Sequence, residues 1–323
     1  MKAVFIEKPH RIEIKELDTP LNMCGETLIE VLVCGVCATD LKIFKGETLA
    51  TYPLVPGHEI VGKVVESEEF ERSIPVTIDP NKACGKCDYC REGKVNLCKN
   101  LSAVGVTRSG GFAEFLSVDN NLIYPLTPNI PVKTAVFAEP LSCIVNGFNL
   151  SSFNYVSDIA IIGGGPIGAI VAMLAKRFSV GETVIVEIDG KRRNFLKNEL
   201  ELETTDYIDP NKHLFDVVFD CTGNPKGVEI AISLTKMGGN TVVFGVTEKG
   251  AKSSIEAFEI YRKELKLVGS FINPFTMSTA VKILNSREFN FDSLVTDELS
   301  LEETVSYISG EKTAEMKAVW MND

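Results

Sequence analysis

The chain has 323 residues, of which 45% are hydrophobic and 24% charged, with 25 Gly and 14 Pro. That balance excludes a mainly disordered, collagen-like or low-complexity chain, and the length argues for two domains rather than one. The formal net charge of −11 is opposite to that of a general nucleic-acid binder, so no nucleic-acid partner is expected.

The N-terminal stretch MKAVFIEKPHRIEIKELD carries a charge every few residues and lacks the apolar core of a signal peptide. The longest apolar-looking run, Ile159 to Ala175, is interrupted by Gly163, Gly164, Gly165, Pro166 and Gly168. It falls short of the ~20 residues a membrane helix needs, so no membrane partner is expected. Nine cysteines make an odd number, which fits a reducing, cytoplasmic location better than a disulfide scaffold.

In chain order, residues 1–140 read as strands, turns and loops. VFIEKPHRIEIKEL and ETLIEVLVCGV alternate apolar and polar residues, and Pro53, Pro56, Pro75, Pro80, Pro125, Pro128 and Pro131 break any long helix. This region holds Cys37, Thr39-Asp40, Gly57-His58-Glu59 and, further on, Ala138-Glu139-Pro140. Singly, a cysteine is most often a small buried hydrophobe and a histidine a satisfied core or surface residue. Cysteine, imidazole and carboxylate together are the ligand set of a zinc site that keeps a position open for water or substrate. His10 and His213 lie in polar surroundings and read as surface residues.

Next comes CGKCDYCREGKVNLC, with Cys84, Cys87, Cys90 and Cys98. Four thiolates suit tetrahedral zinc and leave no open position, so this site is structural; an iron–sulfur cluster is the alternative centre. Lys82, Lys86, Arg91, Lys94 and Lys99 surround the loop and are placed to offset the thiolate charge. Cys24, Cys34, Cys143 and Cys221 sit in apolar contexts and read as core residues, with Cys143 aimed at the metal if its segment is helical.

From residue 158 the pattern changes. DIAIIG, TVIVEI, DVVFDCTG and NTVVFGV alternate with helix-like stretches such as GAIVAMLAKRFS and GVEIAISLTKMG. That is the signature of a parallel sheet wrapped by helices. LKLVGSFI, with its core at 267–272, reads as the last strand. The first strand runs into Gly163-x-Gly165-x-x-Gly168 and then a helix. The glycines serve a tight turn, a close approach to a pyrophosphate, and close helix–strand packing; the helix N-terminus binds the phosphates. Glu187 ends the next strand. Its carboxylate can accept from the adenosine-ribose hydroxyls and would repel a 2′-phosphate, which favours NAD over NADP; Lys191, Arg192 and Arg193 pull the other way. The tail shows helical periodicity in TMSTAVKILNS and LEETVSYIS and ends in a strand-like MKAVWM that can return to the first domain.

Taken together, GVCATD, PGHE, the four-cysteine loop, EPLS, GGGPIG, DCTG, GG-TVVFG and GSFINPF resemble, in order and over nearly the whole chain, the zinc-containing medium-chain alcohol dehydrogenases, and within them the sorbitol (polyol) dehydrogenase-like branch. The resemblance implies an α/β Rossmann domain with a parallel doubly wound sheet at 143–273, plus a mostly-β GroES-like catalytic domain at 1–142 plus 274–323. It implies two zinc ions per chain, one catalytic and one structural, and an NAD cofactor. Cys37 and His58 would hold the catalytic zinc, with a third ligand from Glu59 or Glu139. Asp40 would fix the tautomer of His58. The turn with Gly163, Gly165, Pro166, Ile167 and Gly168, together with Glu187, Arg192, Thr222, Gly245 and Phe271, would bind the dinucleotide. Zinc would act as a Lewis acid on a substrate hydroxyl while hydride passes to the nicotinamide, and Thr39 would relay the alcohol proton.

The chain also departs from that family. Lys42 replaces the relay histidine: it can take the proton, meet an anionic substrate group, or sit solvated. Ile43 replaces a tyrosine, and the polyol-contacting arginine is missing near Ile272-Asn273, where Asn273 reads equally as a polar contact or as a loop amide. Sorbitol itself is therefore in doubt, leaving other polyols, sugar acids and sugar phosphates. A threonine-type or simple alcohol dehydrogenase and a non-catalytic nucleotide-binding relative are the competing functions. The family implies homodimers or homotetramers, and the LKLVGSFI strand is an edge able to pair with a second subunit.

Overall fold

The apolar run at 26–35 forms strand β1 (Glu26–Gly35), the centre of a 7-stranded sheet. The structure is a computed structural model and describes residues 1–322. Leu28, Ile29, Val31, Val33 and Cys34 of β1 are all buried. This pattern is denser than one-sided alternation because both faces of the strand are covered. Helix α1 (Ala38–Lys45) follows, and then strand β2 (Glu59–Glu66). β2 returns antiparallel to β1, with Gly35 opposite Glu59 and Cys34 opposite Ile60, so the end of β1 lies beside the start of β2.

The C-terminal strand Lys317–Met321 pairs with β1 from its other edge, with Val319 opposite Gly35. The tail therefore does return to this sheet. Strands Val295–Leu299, Pro75–Ile78 and Ile123–Pro125 extend the sheet, and Phe115–Asp119 pairs with the first half of β1. Pro75 opens one strand and Pro125 closes another, positions where a missing N–H is tolerated. Helix Leu301–Ile308 begins with a reciprocal cap between Ser300 and Glu303.

The chain divides into two compact units: Met1–Ser142 with everything from Asn273 onward, and Cys143–Ile272. Helix α2 (Ala138–Leu150) runs across the first of these boundaries. The second unit is a 6-stranded parallel sheet. In chain order it contains β3 (Ile159–Ile162), α3 (Pro166–Phe178), β4 (Thr183–Val186), α4 (Gly190–Leu200), β5 (Thr204–Thr205), β6 (Phe215–Asp220), α5 (Pro225–Leu234), β7 (Thr235–Val243) and β8 (Lys266–Gly269). The spatial order is β5-β4-β3-β6-β7-β8. The chain moves outward from β3 through β4 to β5, then jumps back to the other side of β3. That switch point between β3 and β6 is where open parallel sheets bind ligands, at the strands' carboxyl ends.

Three expectations are corrected. The helix-like stretch GVEIAISLTKMG stops at Leu234, and Thr235 already belongs to β7. The buried Thr235 hydroxyl bonds the Ala231 carbonyl (2.8 Å) and the Thr241 hydroxyl (2.7 Å), which ends the helix and starts the strand. The last strand of the sheet ends at Gly269 rather than reaching 272, because Ile272 turns left-handed at φ 47°. Cys24 is exposed in a turn before β1 and is no core residue, whereas Cys34 is fully buried.

Candidate active site

Cys37 caps the start of α1, while His58 and Glu59 lead into β2. The β1–β2 register brings them together: one ligand atom from each lies within 4.8 Å of the others. His58 and Glu59 are buried and Cys37 is half-buried. Asp40, in the first turn of α1, is fully buried. Its Oδ2 accepts from the Cys37 N–H at 2.9 Å and its Oδ1 from the Gly57 N–H at 3.2 Å. Oδ1 also lies 3.5 Å from His58 Nδ1, which is a charge contact too long for a good hydrogen bond. One carboxylate therefore braces both loops of the cluster and sets a negative charge beside the imidazole.

Burial presses the His58 pKa down, but the Asp40 carboxylate and the Cys37 sulfur outweigh it and hold it well above the ordinary value. A buried thiol, imidazole and carboxylate whose combined charge favours a bound proton form a donor set suited to a divalent cation such as zinc. Asp40→Ala is therefore expected to weaken zinc binding about 10- to 100-fold, measured by competition with a chromogenic chelator. Unchanged affinity would show that Asp40 only caps the helix.

A further charged group, Lys317, gave no signal in the sequence. It is 5% exposed, and its Nζ donates to the Val36 carbonyl at 2.9 Å and ion-pairs with the Glu59 carboxylate. Burial lowers its pKa, yet Glu59 and Cys37 hold it above the usual lysine value. It arrives by strand pairing alone: in the antiparallel register with β1, Lys317 lies beyond Gly35, toward Cys37. Gly35 is glycine because any β-carbon there would overlap the Glu59 carboxylate.

Thr39 Oγ1 lies 3.6 Å from Cys37 Sγ, and Lys42 is half-buried on α1. Glu139 is buried in the first turn of α2 but stays outside the 4.8 Å group of Cys37, His58 and Glu59. Asn273 is not aimed at a substrate. It is 2% exposed, donates to Asp79 at 3.1 Å and accepts from Asn81 at 2.8 Å. His10 is exposed, and His213 stacks half-exposed on Phe215.

Cys84, Cys87, Cys90 and Cys98 also bring their sulfurs within 4.8 Å of one another. Their charge is met mainly by the backbone. N–H groups of Cys84 (3.2 Å) and Asn100 (3.3 Å) donate to Cys98, and those of Lys86 and Cys87 lower the Cys84 thiol to about 6. Of the nearby cations, Lys82, Lys94 and Lys99 are engaged by Asp119, Glu92 and Asp88.

In the second unit, the parallel register sets Val186, Ile162, Asp220, Val243 and Gly269 abreast. The residues that follow them line one carboxyl edge: Glu187, Gly163, Thr222, Gly245 and Phe271. Gly163 turns left-handed at φ 95°. A β-carbon on Gly168 would collide with the Gly163 carbonyl, whereas one on Gly165 would meet nothing within 4 Å. The open space lies at the N-terminus of α3, with Pro166 in its first turn, a fit for a pyrophosphate. Glu187 is buried, and its carboxylate accepts from the N–H groups of Gly164 and Asp189, both at 2.8 Å. Arg192 lies 3.3 Å from it, while Arg193 is tied to the Glu187 and Ile188 carbonyls.

Family models match the chain in two places: an alcohol dehydrogenase GroES-like domain over residues 24–128 and a zinc-binding dehydrogenase domain over residues 166–286. D-arabinitol dehydrogenase 1 of Uromyces fabae is 32% identical over 320 residues, covering 94% of this chain and 91% of that protein. D-altritol 5-dehydrogenase of Agrobacterium fabrum is likewise 32% identical, covering 94% of each. The crystal structure of a zinc-binding dehydrogenase from Sinorhizobium meliloti bound to NADP superimposes with a TM-score of 0.94, at 32% identity and 99% coverage of both chains.

Proposed function

The chain belongs to the zinc-containing alcohol dehydrogenases and is a polyol-type dehydrogenase acting on a CH–OH group, and from that premise we propose that it transfers hydride between NAD and a secondary alcohol of a polyol or sugar-derived substrate. The observation that carries this reading is the convergence of Cys37, His58 and Glu59 within 4.8 Å. We assign them to the catalytic zinc, with Glu139 as the further carboxylate and the four cysteines as the ligands of a second, structural zinc. Bound zinc supplies a Lewis acid for the substrate hydroxyl, and the nicotinamide supplies the hydride acceptor.

The protein's own groups do the rest. Asp40 keeps the imidazole and both ligand loops in register. Lys317 neutralises Glu59, so the buried cluster need not carry the full charge of a thiolate and two carboxylates. Thr39, beside Cys37, takes the substrate proton and passes it outward. Glu187, with Gly163, Gly165, Pro166, Ile167, Gly168, Thr222, Gly245 and Phe271, holds the dinucleotide. Glu187 favours NAD through its carboxylate, and Arg192 softens that preference by offsetting the charge.

The substrate is read from Lys42, Ile43 and the relatives. Two relatives are named for neutral polyols, and L-idonate 5-dehydrogenase of Escherichia coli, 28% identical, is named for a sugar acid. Lys42 is the cation that would separate these classes. The test is an initial-rate panel of neutral polyols, sugar acids and sugar phosphates, each with NAD and NADP, for the wild type and Lys42→Ala. An anion anchor gives a preference for charged substrates that falls about tenfold or more in Lys42→Ala. Equal loss on neutral polyols assigns Lys42 to the proton path. No turnover on any of these classes sinks the reading. The edge of β8, where Lys266 and Leu267 are exposed, supports association with a second copy as a homodimer or homotetramer.

A further inference from the structure

Asn146 is a buried amide, 5% exposed, on helix α2. Its Nδ2 donates to the Ile272 carbonyl at 2.9 Å and lies 3.3 Å from the Ser270 hydroxyl. Both acceptors belong to the short segment that leaves β8 at the carboxyl edge of the parallel sheet. Ser270 still donates its N–H to Val243 at 3.0 Å, as if the strand continued. Two residues later Ile272 has turned left-handed, at φ 47°. For a β-branched side chain that conformation is a genuine outlier, and it persists only where the surroundings over-determine it. Between these two points Phe271 is 52% exposed, in the row that also holds Glu187, Gly163, Thr222 and Gly245.

We propose that Asn146 is a positioning residue for the dinucleotide: its amide clamps the strained turn at Ile272 and so fixes residues 270–272 in the conformation that meets the cofactor. The inference rests on the reading that this edge binds a nicotinamide dinucleotide. Asn146 touches no cofactor itself. Without the clamp, the left-handed turn relaxes toward ordinary backbone and Phe271 leaves its place. A part-buried carbonyl is also left without its donor, which opposes rebuilding the turn.

The test is a fluorescence titration of zinc-loaded full-length protein with NADH, run beside thermal melts. The proteins compared are the wild type, Asn146→Ala, Ile272→Gly and the double variant. Asn146→Ala is expected to raise the NADH Kd about 5- to 30-fold, the range for a lost hydrogen bond that leaves its acceptor without a donor. Glycine populates the left-handed region freely. Adding Ile272→Gly to Asn146→Ala should therefore return the Kd to within about threefold of Ile272→Gly alone. Wild-type affinity in Asn146→Ala overturns the proposal. So does a loss that Ile272→Gly leaves uncorrected while the melting temperature falls, since the amide would then merely stabilise the domain. A wild type that does not bind NADH overturns the underlying reading as well, which separates the two failures.

Discussion

Replacing His58 by alanine lowers turnover by at least about 10³-fold, the loss expected when several kcal/mol of electrostatic stabilisation disappear from the reacting centre. The same substitution is expected to lower the zinc content by one ion per chain. The reasons lie in the geometry. His58 is buried, and its partners Cys37 and Glu59 cannot complete the donor set alone. Truncation leaves the Asp40 carboxylate buried with two backbone N–H partners and no imidazole. The four-cysteine cluster is a separate group of residues and keeps its ion. Metal analysis and rates on one preparation make the check. A variant that retains two zinc ions and turnover within tenfold of the wild type would remove His58 from the centre.

The second large effect is on stability. Cys98→Ser is expected to abolish zinc binding at the four-cysteine cluster and lower the melting temperature by about 10 °C, given the large binding free energies of structural zinc. Cys98 is the buried member of the set and the one that accepts the Cys84 and Asn100 N–H groups. The excursion around it contains one four-residue helix, Asp88–Arg91, with no buried residue. It has little apolar surface to hold it once the metal is gone, and small units of that kind depend on their metal. Limited proteolysis should cut near residues 84–98 in the variant and spare the wild type. An unchanged melting temperature after removal of that ion would mean that the loop holds itself.

The parts of the site legible in the sequence are those encoded locally. Cys84, Cys87, Cys90 and Cys98 fall within one loop, and Gly163, Gly165 and Gly168 within one turn, so spacing alone gives their geometry. Cys37 and His58 lie off the strands and were legible through their residue types and the resemblance carried by GVCATD and PGHE. Lys317 was not legible: its role depends on which strand pairs with β1 and in what register, and the alternating run KAVWM carries no mark of either. For Asn273 the sequence left a polar substrate contact and a loop amide equally open, for a related reason. Its neighbours Asp79 and Asn81 come from a distant segment, and an isolated asparagine after a strand looks the same whether it faces a ligand or a buried carboxylate. The start of β7 was missed because TKMG was read as the continuation of the helical stretch GVEIAISL, whereas the paired Thr235 and Thr241 hydroxyls turn the chain into strand there.

The pairing of strand Lys317–Met321 with β1 bears on the order in which the protein can mature during synthesis. Glu59 emerges from the ribosome before its counter-charge Lys317, with the entire Cys143–Ile272 unit made in between. That unit is contiguous and can fold while translation continues. The sheet around Cys37 and His58 lacks the neighbour that completes β1, and the Glu59 carboxylate lacks its lysine, until the strand Lys317–Met321 has been made. On the proposed assignment, that centre cannot be completed before this strand arrives, whereas the four-cysteine loop lies within its own short stretch.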